Sequence, residues 1–94
     1  MKTQRQQLRK YAQCRKLAKQ AVEDARANPR TWFGLSDYLP DAQDDLDEVV
    51  YGDGFTVGFN GDYCDYDEEE TVVDVLATAW LPELSRLTAH KLDW

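Results

Sequence analysis

The dipeptide Asn60-Gly61 limits the fold of this chain more than any other feature of its sequence. It follows the segment FTVGF at residues 55–59, in which large apolar side chains alternate with Thr56 and Gly58. A two-residue type I′ turn needs positive φ at both central residues, and Asn-Gly adopts that conformation readily. The sequence therefore predicts a β-hairpin, with Phe59 opposite Asp62, Val57 opposite Cys64 and Phe55 opposite Tyr66.

Side chains alternate across a strand, which divides the predicted hairpin into two faces. Cys64 and Tyr66 are expected on the buried face, whereas Tyr63 and Asp65 are expected on the exposed face. A hairpin alone is marginally stable in water. We therefore expect a second subunit that pairs with the edge, or a third strand from residues near 31–35 or 49–51.

A long helix is predicted over residues 3–27, because apolar side chains recur there at steps of three and four residues. The expected inward face consists of Leu8, Tyr11, Ala12, Cys14, Leu17, Ala18, Ala21, Val22 and Ala25. Asn28-Pro29 should end the helix, since proline cannot continue its hydrogen-bond ladder. The connection that follows is expected to insert three large side chains into the core: Trp32, Phe33 and Leu35.

A short acidic helix is predicted after Pro40, because proline fits the first turn of a helix. Its apolar stripe would be Leu39, Ala42, Leu46, Val49 and Val50. Gly52-Asp53-Gly54 is expected to end this helix before the hairpin begins.

A C-terminal helical segment is predicted from Asp67, which can form a capping box with Glu70. Apolar residues follow at helical steps: Val72, Val73, Leu76, Ala77, Trp80 and Leu84. The β-branched content leaves a strand at residues 71–77 as an alternative. Pro82 would end or kink the helix, and a further turn or two would bury Leu84, Leu87 and Trp94. The expected architecture is a single α+β domain over residues 1–94.

Charge is segregated along the chain. Residues 1–30 carry nine Lys and Arg against two acids, a formal charge of +7. Residues 31–94 carry two basic residues against sixteen acids, a formal charge of −14. Such segregation is typical of chains that meet a charged partner, although acidic surfaces also serve solubility alone. The basic helix edge could also partly neutralise the acidic half.

Metal binding and catalysis lack their usual residue patterns. A calcium loop that starts at Asp65 would need Gly and Glu at the places occupied by Glu70 and Leu76. His90 is the only histidine, and the two cysteines, Cys14 and Cys64, lie far apart. We therefore expect no metal, no cofactor and no enzymatic activity.

The acidic half supplies the candidate binding residues. Carboxylates spaced along a ridge can occupy a site that binds nucleic-acid phosphates, because duplex DNA carries one phosphate per ~3.4 Å of each strand. The candidates are Asp41, Asp44, Asp45, Asp47, Glu48, Asp62, Asp65, Asp67, Glu68 and Glu69, with Tyr63 as an exposed aromatic anchor. The expected partner is a basic protein, either a nuclease subunit or another nucleic-acid-binding protein, and not nucleic acid itself.

In size, segregated charge and acidic runs (DAQDDLDE and DYCDYDEEE), the chain resembles small anti-defence proteins of phages and mobile elements. These are the anti-CRISPR and DNA-mimic anti-restriction proteins. The resemblance is one of overall character and implies a non-catalytic inhibitor that docks on a host nuclease. The basic N-terminal helix departs from the purest DNA mimics.

Two other functions are also compatible with the sequence. One is a nucleic-acid-binding module that uses the basic helix, and the other is an antitoxin-like regulator that binds a basic partner. No apolar run reaches the ~20 residues that span a bilayer, so no membrane association is expected. The protein is expected in the cytoplasm, that of a bacterial host if phage-encoded, as a monomer or a homodimer.

Overall fold

In the computed structural model, which describes residues 2–42, 49–59 and 62–87, the N-terminal helix α1 spans Lys2–Ala27. Its fully buried side chains are Cys14, Ala18, Ala21, Val22 and Ala25. Ala12 is exposed, contrary to the prediction, because at 3.6 residues per turn it lies roughly 140° from the centre of this stripe. The helix ends at Ala27, as predicted, and the backbone N–H of Asn28 donates to the Asp24 carbonyl at 2.9 Å.

The sheet has four strands: β1 (Trp32–Gly34), β2 (Val49–Tyr51), β3 (Thr56–Phe59) and β4 (Asp62–Asp65). They run antiparallel in the order β1-β2-β3-β4. The predicted hairpin register is confirmed, since Phe59 pairs with Asp62 and Val57 pairs with Cys64. Both segments considered for a third strand join the sheet, which gives the hairpin the neighbours it needs.

The predicted acidic helix is not seen in the described residues. A 3₁₀ turn at Leu35–Asp37 follows β1, and residues 40–42 then form a turn and a bend. Residues 43–48, which include Leu46, lie outside the described residues. Val49 and Val50 belong to β2, because strand pairing on both sides satisfies their backbone and suits their branched side chains. Gly52-Asp53-Gly54 therefore connects two strands and does not end a helix.

The C-terminal helix α2 spans Glu69–Leu87, so the helical prediction for residues 71–77 is confirmed. The Val72 N–H donates to the Glu68 carbonyl at 3.1 Å, which places the start slightly after the predicted cap. The helix continues through Pro82 instead of ending there, and it buries Leu84 as predicted while Leu87 is half-buried. Trp94 lies outside the described residues.

The two helices pack against each other and against one side of the sheet. Helix α1 lies over β1 and β2, and α2 contacts β2. Arginines of α1 join the helices at their exposed edges: Arg15 pairs with Glu70 and Asp74, and Arg26 pairs with Glu69. These ion pairs neutralise part of the opposite charges that the two halves of the chain carry.

The buried Cys14 thiol predicts how stability depends on pH. Burial raises its pKa from 9.0 to about 11. Its contribution to stability is therefore complete below pH 9 and is lost as the pH rises through 11. We expect this loss to be on the order of 2 kcal/mol.

Urea unfolding across this pH range measures the effect, with Cys64→Ser as the parent so that one thiol titrates. A Cys14→Ala variant of that parent should lack the component. Equal alkaline losses in the two proteins would contradict the assignment to Cys14.

Candidate functional site

The sheet presents one face to the helices and the other to solvent. Val50 and Val57 are buried and Phe33 packs against the same core, so this row lies on the inner face. Alternation places the neighbours of these residues on the opposite side, which we call the outer face. The outer face carries Trp32, Gly34, Val49, Tyr51, Thr56, Gly58, Tyr63 and Asp65.

Three rings on the outer face, Trp32, Tyr51 and Tyr63, form an aromatic cluster. The Trp32 and Tyr51 ring centroids are 4.7 Å apart, and those of Trp32 and Tyr63 are 5.7 Å apart. These separations lie in the range in which tilted aromatic pairs attract each other. Trp32 is nevertheless 43% exposed and Tyr63 is 61% exposed. The cluster therefore joins both edge strands of the sheet and remains open to solvent.

Gly58 allows the Tyr63 ring to lie across β3. A Cβ atom at position 58 would lie 2.7 Å from Tyr63 Cε1 and 3.0 Å from Cδ1, closer than carbon atoms pack. Any other residue at position 58 would push the Tyr63 ring away from the sheet. The flat placement of the ring on this strand therefore depends on the missing side chain of Gly58.

Beside the aromatic cluster lies the acidic edge, which we define as Asp62, Asp65, Asp67 and Glu68. All four are exposed, the first two on β4 and the others in the segment that leads into α2. Within the described sheet β4 has a strand on one side only. The Thr56 hydroxyl donates to Asp65 Oδ1 at 2.8 Å, which orients this carboxylate on the outer face.

Contrary to the prediction, Cys64 lies outside the core. It shares the inner face with Val57, but it is exposed, since the main helix contacts of the sheet are with β1 and β2, away from the edge strand β4. Tyr66 is half-buried. Its partial desolvation, followed by a hydrogen bond with the Cys64 thiol, raises the pKa of Tyr66.

The structure brings together only part of the predicted binding set. Asp62, Asp65, Asp67 and Glu68 follow one another along the acidic edge, and Tyr63 lies on β4 beside them, exposed as predicted. Glu69 instead pairs with Arg26 Nη2 at 2.9 Å, and Asp41 lies in a turn of the β1–β2 connection. Four of the predicted residues lie outside the described residues: Asp44, Asp45, Asp47 and Glu48.

Sequence reasoning missed two rings of the aromatic cluster. Trp32 was expected in the core, but in β1 it alternates with Phe33, and it is Phe33 that turns toward the helices. Tyr51 follows Val50 in β2 and alternates in the same way. If the triplets WFG and VVY are assigned as strands, the two-residue alternation of side chains places Trp32 and Tyr51 on the face opposite Phe33 and Val50. This alternation was the sequence signal for the two rings.

Chemically, the outer face and the acidic edge can bind a cation through ring faces and carboxylate oxygens. In the part of the chain that the structure describes, no group of three or more His, Cys, Asp or Glu side chains could hold a metal ion. Neither helix in that part is long and apolar enough to cross a membrane. His90, the one histidine, is outside the described residues.

Comparison with known proteins does not assign a function to this site. No protein-family model matches the chain, and no curated protein or solved structure matches it either. The fold and the site together define a two-layer α+β protein with one open aromatic sheet face and an acidic edge.

Proposed function

We propose that this protein is a non-catalytic inhibitor whose acidic edge occupies a basic, phosphate-binding site on a partner protein. The partner class is a nuclease or another nucleic-acid-binding protein, in line with the anti-CRISPR and DNA-mimic anti-restriction proteins that the chain resembles in character. The observation that carries the proposal is the row of four exposed carboxylates along one open strand and the segment after it.

The charge of this edge is not compensated by the described part of the chain. The ion pairs there engage other acids with arginines, namely Glu69, Glu70, Asp74 and Glu83. Asp62, Asp67 and Glu68 have no such pair among the described residues. Neighbouring like charges raise the local negative potential, which attracts a basic surface and steers its approach.

Along β4 the carboxylates of Asp62 and Asp65 are spaced about three times as widely as successive phosphates of one DNA strand. A strand rises ~3.3 Å per residue, so Asp62 and Asp65 are separated by ~10 Å along β4. One strand of duplex DNA carries a phosphate every ~3.4 Å along the axis. Alternation points Asp62 to the side of Cys64 and Asp65 to the outer face, so the two carboxylates flank the open edge of β4 about three phosphate intervals apart along it.

A pull-down with two competitors tests this proposal. The purified protein is immobilised, exposed to a bacterial lysate, and washed either with duplex DNA or with sodium chloride of equal ionic strength. We expect a captured protein that duplex DNA releases and the matched salt does not. The double variant Asp62→Lys/Glu68→Lys should reduce capture at least about tenfold, because two attractive charges become repulsive.

The matched control is Glu23→Lys/Asp53→Lys, which changes the net charge equally at exposed positions outside the acidic edge. This control should retain capture. Equal capture by both double variants would show that location is irrelevant and would overturn the acidic-edge proposal. A partner that salt and DNA release equally would favour the antitoxin-like function over phosphate-site blocking.

The alternative of nucleic-acid binding through α1 is weakened by the ion pairs of this helix. Arg15 and Arg26 already contact acids of α2. Three exposed basic residues of the described helix have no such contact: Arg9, Lys16 and Lys19. Retention of the protein on a heparin column, with a steep decrease as salt rises, would support this alternative. The proposed function predicts no retention.

A further inference from the structure

The aromatic cluster is the exposed feature that the proposed function does not require. Carboxylates alone suffice to imitate phosphates, yet three rings are assembled on the outer face immediately beside them. Exposed aromatic rings in contact with each other are typical of protein-binding surfaces, where they act as anchors. The chemistry of this surface therefore identifies what kind of partner side chain it fits.

Rings and a carboxylate share the outer face at β4. Tyr63 and Asp65 are two residues apart on this strand, so their side chains project to the same side. Asp65 is held through Oδ1 by the Thr56 hydroxyl, and no hydrogen bond among the described residues uses Oδ2. A cationic group placed on the Tyr63 ring could therefore also reach a fixed carboxylate oxygen.

Arginine fits such a surface better than lysine. A guanidinium group is planar and weakly hydrated, stacks on aromatic faces and donates several hydrogen bonds to carboxylates. An ammonium group is compact and strongly hydrated, so it loses more hydration when it contacts a ring. A surface that combines open rings with an oriented carboxylate should therefore discriminate between the two cations.

The protein already builds this combination within its own fold. The Arg26 guanidinium carbon lies 5.5 Å from the centroid of the Phe55 ring. The same guanidinium pairs with Glu69 at 2.9 Å. One arginine thus contacts a ring and a carboxylate at once. Among the described residues, the outer face has a ring and a carboxylate and no arginine paired with them.

We propose that the aromatic cluster and Asp65 form a subsite for an arginine side chain in a basic segment of the partner protein. This inference rests on the proposed function, because it specifies the partner that the acidic edge attracts. The acidic edge supplies the general attraction for a basic segment, and the rings select arginine over lysine.

Calorimetric titration with capped hexa-arginine and hexa-lysine peptides tests the subsite directly. We expect the wild-type protein to bind the arginine peptide about fivefold more tightly than the lysine peptide. Tyr63→Thr should reduce this preference to less than about twofold and leave lysine binding nearly unchanged. Gly58→Ala should act similarly, because its added Cβ displaces the Tyr63 ring while every aromatic residue is retained.

Asp62→Lys/Glu68→Lys separates the subsite from the proposed function. It should weaken both peptides. Equal binding of the two peptides by the wild type, or a preference that survives both Tyr63→Thr and Gly58→Ala, overturns the arginine subsite. Either result leaves the proposed function intact if the pull-down still depends on the acidic edge and on DNA. Conversely, a clear arginine preference with a pull-down indifferent to the acidic edge overturns the proposed function alone.

Two other occupants of the outer face have their own readouts. A single-stranded oligonucleotide that binds more tightly than hexa-arginine, with loss on Tyr63→Thr, would indicate base stacking and overturn the proposal. Sedimentation equilibrium that shows a dimer which Tyr63→Thr dissociates would assign the face to a second copy of this chain. Circular dichroism and thermal unfolding confirm that each variant is folded before titration.

Discussion

Trp80→Ala should destabilise the protein by about 3–5 kcal/mol, the range found when a large buried aromatic side chain is removed. Trp80 is 0% exposed and has the largest side chain among the fully buried residues. It lies near the middle of α2, the helix that packs on α1. A single domain of this size has only about 5–15 kcal/mol of total stability. The variant should therefore be partly unfolded at 37 °C.

Urea unfolding monitored by circular dichroism measures this loss, with Thr78→Ala as the control. Thr78 is exposed on the same helix, so its replacement should change stability by less than about 0.5 kcal/mol. Trp80→Phe should lose less than Trp80→Ala, because it leaves a smaller cavity. A loss below about 1 kcal/mol in Trp80→Ala would contradict the described packing of α2.

Gly52→Ala is the second substitution with a large expected effect. A Cβ atom at position 52 would lie 1.8 Å from the Ala25 carbonyl oxygen and 2.4 Å from its carbon. Both are backbone atoms of α1, so the clash cannot be relieved by a side-chain rotation. The β2–β3 loop must move away from the end of the helix, and we expect a loss of more than about 3 kcal/mol.

Gly54 provides a comparison in the same loop. Nothing lies within 4 Å of a Cβ at position 54, but its φ of +81° lies in the left-handed region. Gly54→Ala should therefore cost about 1 kcal/mol, and Gly54→Asn less, because asparagine tolerates this conformation. At position 52, Asn should be at least as harmful as Ala. We assign the loss at position 52 to steric overlap and the loss at position 54 to backbone conformation. Equal effects of alanine and asparagine at both positions would contradict this assignment.

The loop also contains a backbone conformation that the alternating pattern does not reveal. Phe55 was expected as the first residue of a strand, but its φ is +54° and β3 begins at Thr56. A non-glycine residue in this region costs roughly 1–2 kcal/mol. Burial of the Phe55 ring and its contact with the Arg26 guanidinium offset this cost. Both contacts are tertiary, so no local pattern predicts them.

Only part of the outer face could be predicted from the sequence. The outward position of Tyr63 follows from the predicted hairpin register alone, because a two-residue Asn-Gly turn predicts which residues of the return strand face outward. The aromatic cluster cannot be predicted from this register, since Trp32 lies at the opposite edge of the sheet. Contact between Trp32 and Tyr63 requires all the intervening strands and the space above Gly58.

The elements with strong local signals could be predicted from the sequence. These are the long helix ended at Asn28-Pro29, the helical course of residues 71–77 and the hairpin pairing of Val57 with Cys64. In each case the periodicity or turn chemistry lies within a few residues of the structure it specifies.

Which side chains are covered depends on tertiary packing and could not be predicted from local patterns. Cys64 has the alternation of a core residue yet is exposed, and Trp32 has the hydrophobicity of a core residue yet lies on the outer face. Burial depends on where the two helices pack, and their main contacts with the sheet are to β1 and β2, away from β4. Packing joins residues far apart in the chain, whereas periodicity reports only the side of an element on which each residue lies.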